Sequence, residues 1–499
     1  MLLVLLTICG LVLILHHFWT NRKLYELSWK LPGPLWVPLI GNTYNIIGRT
    51  HEGLLDLLDY FINAYPGPIR RYWFATKLFI LISKPNDIQT VLNAPECLNR
   101  AYVYKYMDSI TGNGLLSLPV ETWKNHRKYL NPTFSLKMLQ SFISIFNKEA
   151  RTLTNRLNEL LGKPAFDIYR FMDACTLDIV CQTTMGTEMH IQKNQNVNYM
   201  ESVNNLLLSI TTRIFNPLLQ LDILFRLTKW YSIEKKSNRI VFGFVEKILQ
   251  GKKEMYQQIQ QKFKHVEQDE SVSTPQIYID QLLKLSMETG VFNDDEVINE
   301  ACTIVATGFE STAVTLSYVV LMLAMHSDVQ DKVYEEICAV VADPNDLKHE
   351  ELNDLKYTER VIKETLRLFP IIAGMARVVS APFQLREYTI PANTYVGISI
   401  LTLHRDKTVW GPKAEEFDPD HFLPENLEKI HPYAFVPFSA GPRNCIGSKY
   451  AYMMMKIVVV HLVKNYKFTT DLKLCDLKHR FNITLKLCNK HMVSITART

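Results

Sequence analysis

The chain has 499 residues, 47% of them hydrophobic, with 55 Lys and Arg against 50 Asp and Glu. That length holds two or three average domains or one large fold, and the apolar share supplies a sizeable core. A net charge of +5, without basic runs interleaved with aromatics, excludes a dedicated nucleic-acid binder, and nine scattered Cys exclude a disulfide framework and point to reduced thiols.

Residues 1–19 are nearly all apolar, broken only by Thr7, His16 and His17. About twenty such residues cross a bilayer. No Lys or Arg precedes the run, no small-residue cleavage site follows it, and Arg22 and Lys23 come directly after. The segment therefore reads as an uncleaved anchor with the following chain on the cytosolic side. The expected organisation is an anchor over 1–20, a basic and proline-rich hinge over 21–40 that sets the body stiffly against the membrane, and one large mixed domain over 41–499.

Within that domain, residues 69–75 and 78–83 predict two strands, 85–92 a short helix and 102–114 a loop. A helix starts at Trp123 and places Trp123 and Arg127 on one face. Helical apolar spacing returns over 135–161 and 166–185. Residues 206–230 are unusually apolar and interrupted by Pro217; they predict core helices, a second membrane contact or a lid over a substrate channel. A charged amphipathic helix over 240–262 and an acidic surface loop over 266–274 follow. Asn293 and Glu296 form a capping box for a helix of about thirty residues, or about 45 Å, and Ser327 and Asp328 can cap the next. Residues 383–390 and 395–400 predict a strand pair, 448–464 a helix, and 481–487 with 492–495 a closing hairpin. The fold class is mainly α, with small β-sheets.

Residues 438–447, FSAGPRNCIG, place Cys445 in a glycine-flanked turn ahead of that last helix. A helix N-terminus lowers a thiol's pKa, as metal ligation requires, and freed backbone N–H groups can bond the sulfur. Gly441 and Gly447 permit positive φ and let backbone approach a flat ligand. Arg443 suits an acidic edge of that ligand, and Phe438 can pack under the sulfur. In the long helix, Gly308, Glu310, Ser311 and Thr312 are poor choices for a plain core helix. Glycine leaves room for a small ligand, while a carboxylate and a hydroxyl can open the helix ladder, admit water and relay protons.

Phe438, Gly441, Arg443, Cys445 and Gly447 at these offsets resemble the cysteine-ligand loop of the cytochrome P-450 haem-thiolate monooxygenases, and the resemblance runs along nearly the whole chain. It implies the P-450 fold, haem b with Cys445 as the iron ligand, and insertion of one oxygen atom of dioxygen into an apolar substrate. NADPH would supply electrons through a separate reductase at the endoplasmic reticulum membrane, with cytochrome b5 as a further partner. The wording is most similar to the fatty-acid ω-hydroxylase clan and its insect branches. Many of those proteins carry a haem-linking Glu where Thr307 stands here, so no covalent link is expected, and ω-hydroxylation is not carried over.

The same resemblance implies residue roles. Trp123, Arg127, Arg377 and Arg443 would hold the haem carboxylates, and Glu310, Ser311 and Thr312 would serve proton delivery, with Ser311 replacing the usual Thr. Glu364 and Arg367 would lock the Cys loop from below, weakly, because His421 replaces the family's third member, an arginine. Ile304, Phe309, Ile371, Ile372 and Met375 would line the pocket. Lys124, Lys128, Lys449 and Lys456 offer either a basic face to an acidic electron donor or a plain solvated surface. Two alternatives stay open: an isomerase or dehydratase using no dioxygen, and a non-catalytic haem-binding membrane protein.

Overall fold

The computed structural model describes residues 1–263 and 277–498. The acidic loop expected over 266–274 lies outside them.

Helix α1 (Leu2–Thr20) is apolar on every side and largely exposed. It meets α2 (Arg22–Lys30) at a 62° bend, and only as that bent pair are the two long and apolar enough to cross a bilayer. The basic first half of the expected hinge is thus helical. Residues 22–30 are amphipathic and helical, burying Leu24, Tyr25 and Leu27. Tyr25 stacks on Trp73 at 4.8 Å, and the Trp73 indole donates to Ser28 Oγ at 2.8 Å. Only the proline-bearing stretch after Lys30 is extended, as missing N–H donors and fixed φ require.

The main sheet gathers distant parts of the chain. Strands β1 (Ile69–Phe74) and β2 (Lys77–Ile82) pair antiparallel, and the sheet order is β1-β2-β8-β5-β3. Here β3 is Asn99–Arg100, β5 is Gly374–Val378 and β8 is Tyr395–Ser399. Two expected hairpins are corrected. β6 (Phe383–Leu385) turns back on β7 (Tyr388–Ile390), while β8 leaves them to pair with β2 and β5. At the C-terminus β10 (His479–Asn482) pairs with β11 (Thr484–Leu487) through Ile483 at φ 63°. β12 (Met492–Ala497) instead joins β9 (Tyr466–Thr469) and β4 (Phe166–Asp167).

Helices α3 (His51–Ala64), α4 (Pro85–Asn93), α5 (Val120–Leu130), α6 (Tyr169–Val180) and α7 (Val197–Phe215) precede the long helix α8 (Asp294–Met325), and α6 packs along it. Both halves of the Asn293–Glu296 capping box form. α8 is apolar almost all round, as a buried helix must be, and from Val297 to Leu323 most of its side chains are buried. It is long and apolar enough to span a membrane, yet it is the core of the domain. Helices α9 (Lys356–Leu368) and α10 (Ser448–Asn465) close the far side.

Some local expectations are revised. Residues 102–111 are helical turns rather than a loop. The 135–161 segment breaks at Phe142. The helix over Ser327–Val340 has His326 at its N-cap and no side-chain cap.

Candidate active site

A cavity of about 650 Å³ lies between α8 and the turn before α10. Cys445 opens onto it. The Cys445 N–H donates to Phe438 O at 2.9 Å, closing the turn, and the Phe438 ring packs 5.2 Å from Tyr452. Burial raises the thiol's pKa, while the Gly447 N–H, Arg127 and Arg100 pull it down. A cation bound at the sulfur would complete that pull.

The two glycines act differently from expectation. Gly441 does adopt φ 70°, but a Cβ there would strike the Leu92 carbonyl at the end of α4, so it lets two backbones meet rather than a ligand. Gly447 has φ −91° and lines the cavity, where a Cβ would meet only the Phe134 ring at 3.9 Å.

Three guanidinium groups gather here: Arg100 and Arg443 line the cavity, while Arg377 does not and meets Arg100 across paired strands. Arg377, 1% exposed, has Nη1 without a protein partner. Arg443 donates through Nη2 to Leu118 O at 2.6 Å, while its Nε and Nη1 have no partner. Its guanidinium lies 4.4 Å from the centre of the Trp123 ring, which is Trp123's place here. Arg100 is the third and was not singled out from the sequence; it faces Arg377 across the β3–β5 register, with Nε unpartnered. Burial, with Arg100 beside it, lowers Arg443 to about 9 and Arg377 well below its ordinary value. No salt bridge joins these three arginines to an acid among the described residues. Arg127 instead grips the Cys loop, donating to Asn444 O at 2.8 Å and Asn444 Oδ1 at 2.9 Å. A thiol on one wall and unpaired guanidinium groups at the edge fit a flat, iron-bearing group with two carboxylates.

On the opposite wall, α8 runs unbroken, so the expected opening of its ladder is not present. Ser311 Oγ donates to Thr307 O at 2.8 Å, Thr312 Oγ1 to Gly308 O at 2.9 Å and Thr307 Oγ1 to Thr303 O at 2.7 Å. These hydroxyls satisfy themselves on the preceding turn. Gly308 has a further reason for its identity: a Cβ would come within 3.3 Å of Val180 on α6, so glycine permits close helix packing. Glu310 also borders the cavity. Its Oε1 lies 2.7 Å from Lys486 Nζ and accepts from Thr484 Oγ1 at 3.1 Å.

Ile304, Ile371, Ile372 and Met375 line the cavity. Phe309 does not; it points into the core, 1% exposed, because it lies off the α8 face that carries Ile304, Gly308 and Ser311. Lining residues not foreseen from the sequence include Leu54 and Phe61 of α3, Phe79 of β2, Phe215 of α7 and Phe481 of β10.

Glu364 and Arg367 are both fully buried and joined by two 2.7 Å bonds. Arg367 also donates to His404 O, Ala414 O and Glu416 O, and Glu364 Oε1 accepts from the Asp418 N–H at 2.9 Å. His421 Nδ1 lies 3.0 Å from the same oxygen. Of the four lysines considered as a docking face, Lys124, Lys128 and Lys449 are exposed. Lys456 is withdrawn: it is buried, 2.6 Å from Glu359 and 2.8 Å from Leu352 O.

The sulfur-bearing turn, the long helix across the cavity and the buried acid–arginine pair fit a haem-thiolate protein. The cytochrome P450 family model matches residues 31–488, and the chain belongs to that family. It is similar to "Cytochrome P450 4c21" of Blattella germanica, 31% identical over 481 residues and covering 96% of this chain and 95% of that protein. "Probable cytochrome P450 313b1" of Drosophila melanogaster is 32% identical over 485 residues, 95% of each chain. "Cytochrome P450 4c3" of the same fly is 30% identical over 504 residues, 98% of this chain and 94% of that one. As a cytochrome P450, the protein is an oxidoreductase of the monooxygenase class.

Proposed function

We propose that this cytochrome P450 oxidises an apolar small molecule at the membrane surface, drawing electrons from NADPH through a separate reductase. One observation carries the reading. Cys445, Arg100 and Arg443 line the same cavity that Glu310 and Ser311 border, and Arg377 sits beside Arg100 across the β3–β5 register. The haem those residues would hold activates dioxygen when bound, leaving one oxygen atom in the product and one in water.

The chain's own residues do the rest. Cys445 would ligate the iron through its thiolate. Arg377 and Arg443, with Arg100, would neutralise the two carboxylates, and Trp123 would hold Arg443 in place. Phe438, packed on Tyr452, would help to keep water from the sulfur. Ile304, Ile371, Ile372 and Met375 would orient an apolar substrate by shape, since they offer no directional bonds. Glu310 and Ser311 would hold and pass protons on the α8 side. Thr307 carries no carboxylate, so the haem would not be ester-linked.

Membrane residence is part of the proposal. Leu218, Leu221, Ile223 and Leu227, between α7 and the helix Lys229–Phe263, are exposed, as is much of α1. Contiguous exposed apolar side chains of this kind suit a lipid surface. The reading places α1 as an anchor in the endoplasmic reticulum, and exposed Lys124, Lys128 and Lys449 toward the reductase and cytochrome b5.

The test is NADPH consumption in vesicles containing the protein and a microsomal reductase, across a panel of apolar compounds. Substrate-dependent consumption with an oxygenated product supports the reading. Turnover of hydroperoxides without NADPH would replace it with an isomerase or dehydratase.

A further inference from the structure

We propose that Glu300 of α8 is a positioning residue for the substrate: its buried carboxylate, oriented by His126, holds the loop over residues 111–116 against α8 and so fixes one wall of the cavity. The inference rests on the reading of that cavity as the seat of haem and substrate.

Glu300 is fully buried, and three separate parts of the chain send donors to it. The His126 imidazole of α5 places Nδ1 2.7 Å from Oε1. The Leu115 N–H donates to Oε2 at 3.1 Å, and the Tyr278 hydroxyl, at the start of the helix Tyr278–Thr289, donates to the same oxygen at 3.4 Å. His126 Nε2 faces Glu296, one turn earlier on the same face of α8, at 3.6 Å. The imidazole also meets the Phe292 ring edge-on at 4.6 Å. With both nitrogens and an edge engaged, the imidazole is fixed in orientation.

The loop is built to sit on α8. A Cβ at Gly112, which has φ 61°, would strike the Asn299 side chain, and one at Gly114 would strike Thr303 Oγ1 and come within 2.9 Å of Asn299 O. Only bare backbone approaches the helix this closely. Thr303 Oγ1 donates to Thr111 O at 2.8 Å where the loop begins, and Arg443 takes Leu118 O just past its end. Between these two pins Glu300 holds the Leu115 amide. Thr111, Leu115 and Leu116 line the cavity, beside Thr303 and Ile304 of α8.

A buried carboxylate forfeits its hydration, and its hydrogen bonds must offset that loss. Joining α5 to α8 occupies Oε1 alone. Oε2 is committed to Leu115 and Tyr278, both of which line the cavity. Apolar lining residues give a substrate no directional bonds, so the placement of the wall is what orients it. Such placement is productive only when a supporting shell holds the wall still. Glu300 supplies that support from outside the cavity, and His126 keeps the carboxylate aimed at the loop.

The experiment compares wild type, E300Q, H126F, H126N and G114A as haem-loaded protein. Imidazole and N-phenylimidazole both ligate haem iron, but only the second reaches the cavity wall. The ratio of their dissociation constants therefore reads the wall whatever the natural substrate is. The carbon-monoxide band and the affinity for imidazole should stay at wild-type values throughout. E300Q, H126F and G114A should each weaken N-phenylimidazole by about tenfold, the scale on which a small misfit in an apolar pocket acts. Amide hydrogen exchange over residues 111–118 should quicken in the same three. H126N, whose amide nitrogen stands where Nδ1 does, should recover both readouts. Faster loop exchange with an unchanged ratio would make Glu300 a tie between helices only, and unchanged exchange in E300Q would mean that its bond to Leu115 does not hold the loop; either result overturns the inference. If E300Q does not fold, a wild-type ratio in G114A, which lifts the loop with Glu300 intact, overturns it alone. A wild type that binds neither imidazole would instead sink the haem reading on which the inference rests.

Discussion

Arg100 is the residue whose role is clearest from structure and least visible in sequence. It sits in a two-residue strand and meets Arg377 only because β3 pairs with β5 across more than half the chain. Two cations side by side and without an acid partner are unfavourable unless an anion joins them. Arg100→Ala and Arg377→Ala should therefore each weaken haem retention by about 1.5–3 kcal/mol, the worth of hydrogen bonds to a charged group. Transfer of haem to an excess of an apo-globin acceptor measures this, and wild-type transfer rates in Arg100→Ala would remove Arg100 from the site.

At the scale of elements, the buried cluster around Glu364 joins α9 to the turn holding His421. Glu364 makes its bonds to Arg367, the Asp418 N–H and His421 while fully buried. Removing one partner from such a pair costs about 3–5 kcal/mol, because the other charge is left buried. Losing His421, one of several partners, should cost only about 1 kcal/mol. Urea unfolding of Glu364→Gln and His421→Ala should show that order; equal losses would make His421 as important as the arginine it meets through Glu364.

Elements with a strong local signal were legible in the sequence. The Asn293–Glu296 box and an apolar run of helical period located α8 closely. The two N-terminal strands and the Cys turn were equally plain, because β-rich runs and glycine spacing are local facts. Pairings were not. Residues 395–400 have the composition of a strand, but nothing local says that their partners are β2 and β5 rather than the preceding hairpin. The orientation of Phe309 and the burial of Lys456 were missed for the same reason: each depends on which face a neighbouring helix covers.

The whole molecule carries an acid sensitivity set by buried histidines. Burial lowers His404 to about 3, His461 to about 4, His479 to about 4 and His491 to about 3. In the unfolded chain each takes up a proton near 6.5, which the folded state refuses until these lower values. Their contribution is complete above pH 6.5 and is lost as pH falls below it. Asp173 and Asp178, raised by burial to about 7 and about 6, act in the opposite sense, since the folded state holds protons there that the unfolded chain has released. His51 and His326 are also lowered by burial, and Asp59, Asp108 and Glu234 are also raised; the histidines carry the larger share, so the melting temperature should fall as pH drops from about 6.5 toward about 4.5. A melting temperature that rises through this window would contradict the balance.

The fold places one thiol, Cys445, against an apolar cavity that is also lined by Arg100, Arg443 and Glu310. The central claim is that this sulfur binds haem iron as a thiolate. The carbon-monoxide difference spectrum of the dithionite-reduced, membrane-expressed protein tests it most directly, with Cys445→Ala alongside. The account predicts a strongly red-shifted Soret band in the wild type and its loss in the variant. A band at shorter wavelength in folded, haem-loaded wild type, or a red-shifted band that survives in Cys445→Ala, would contradict it.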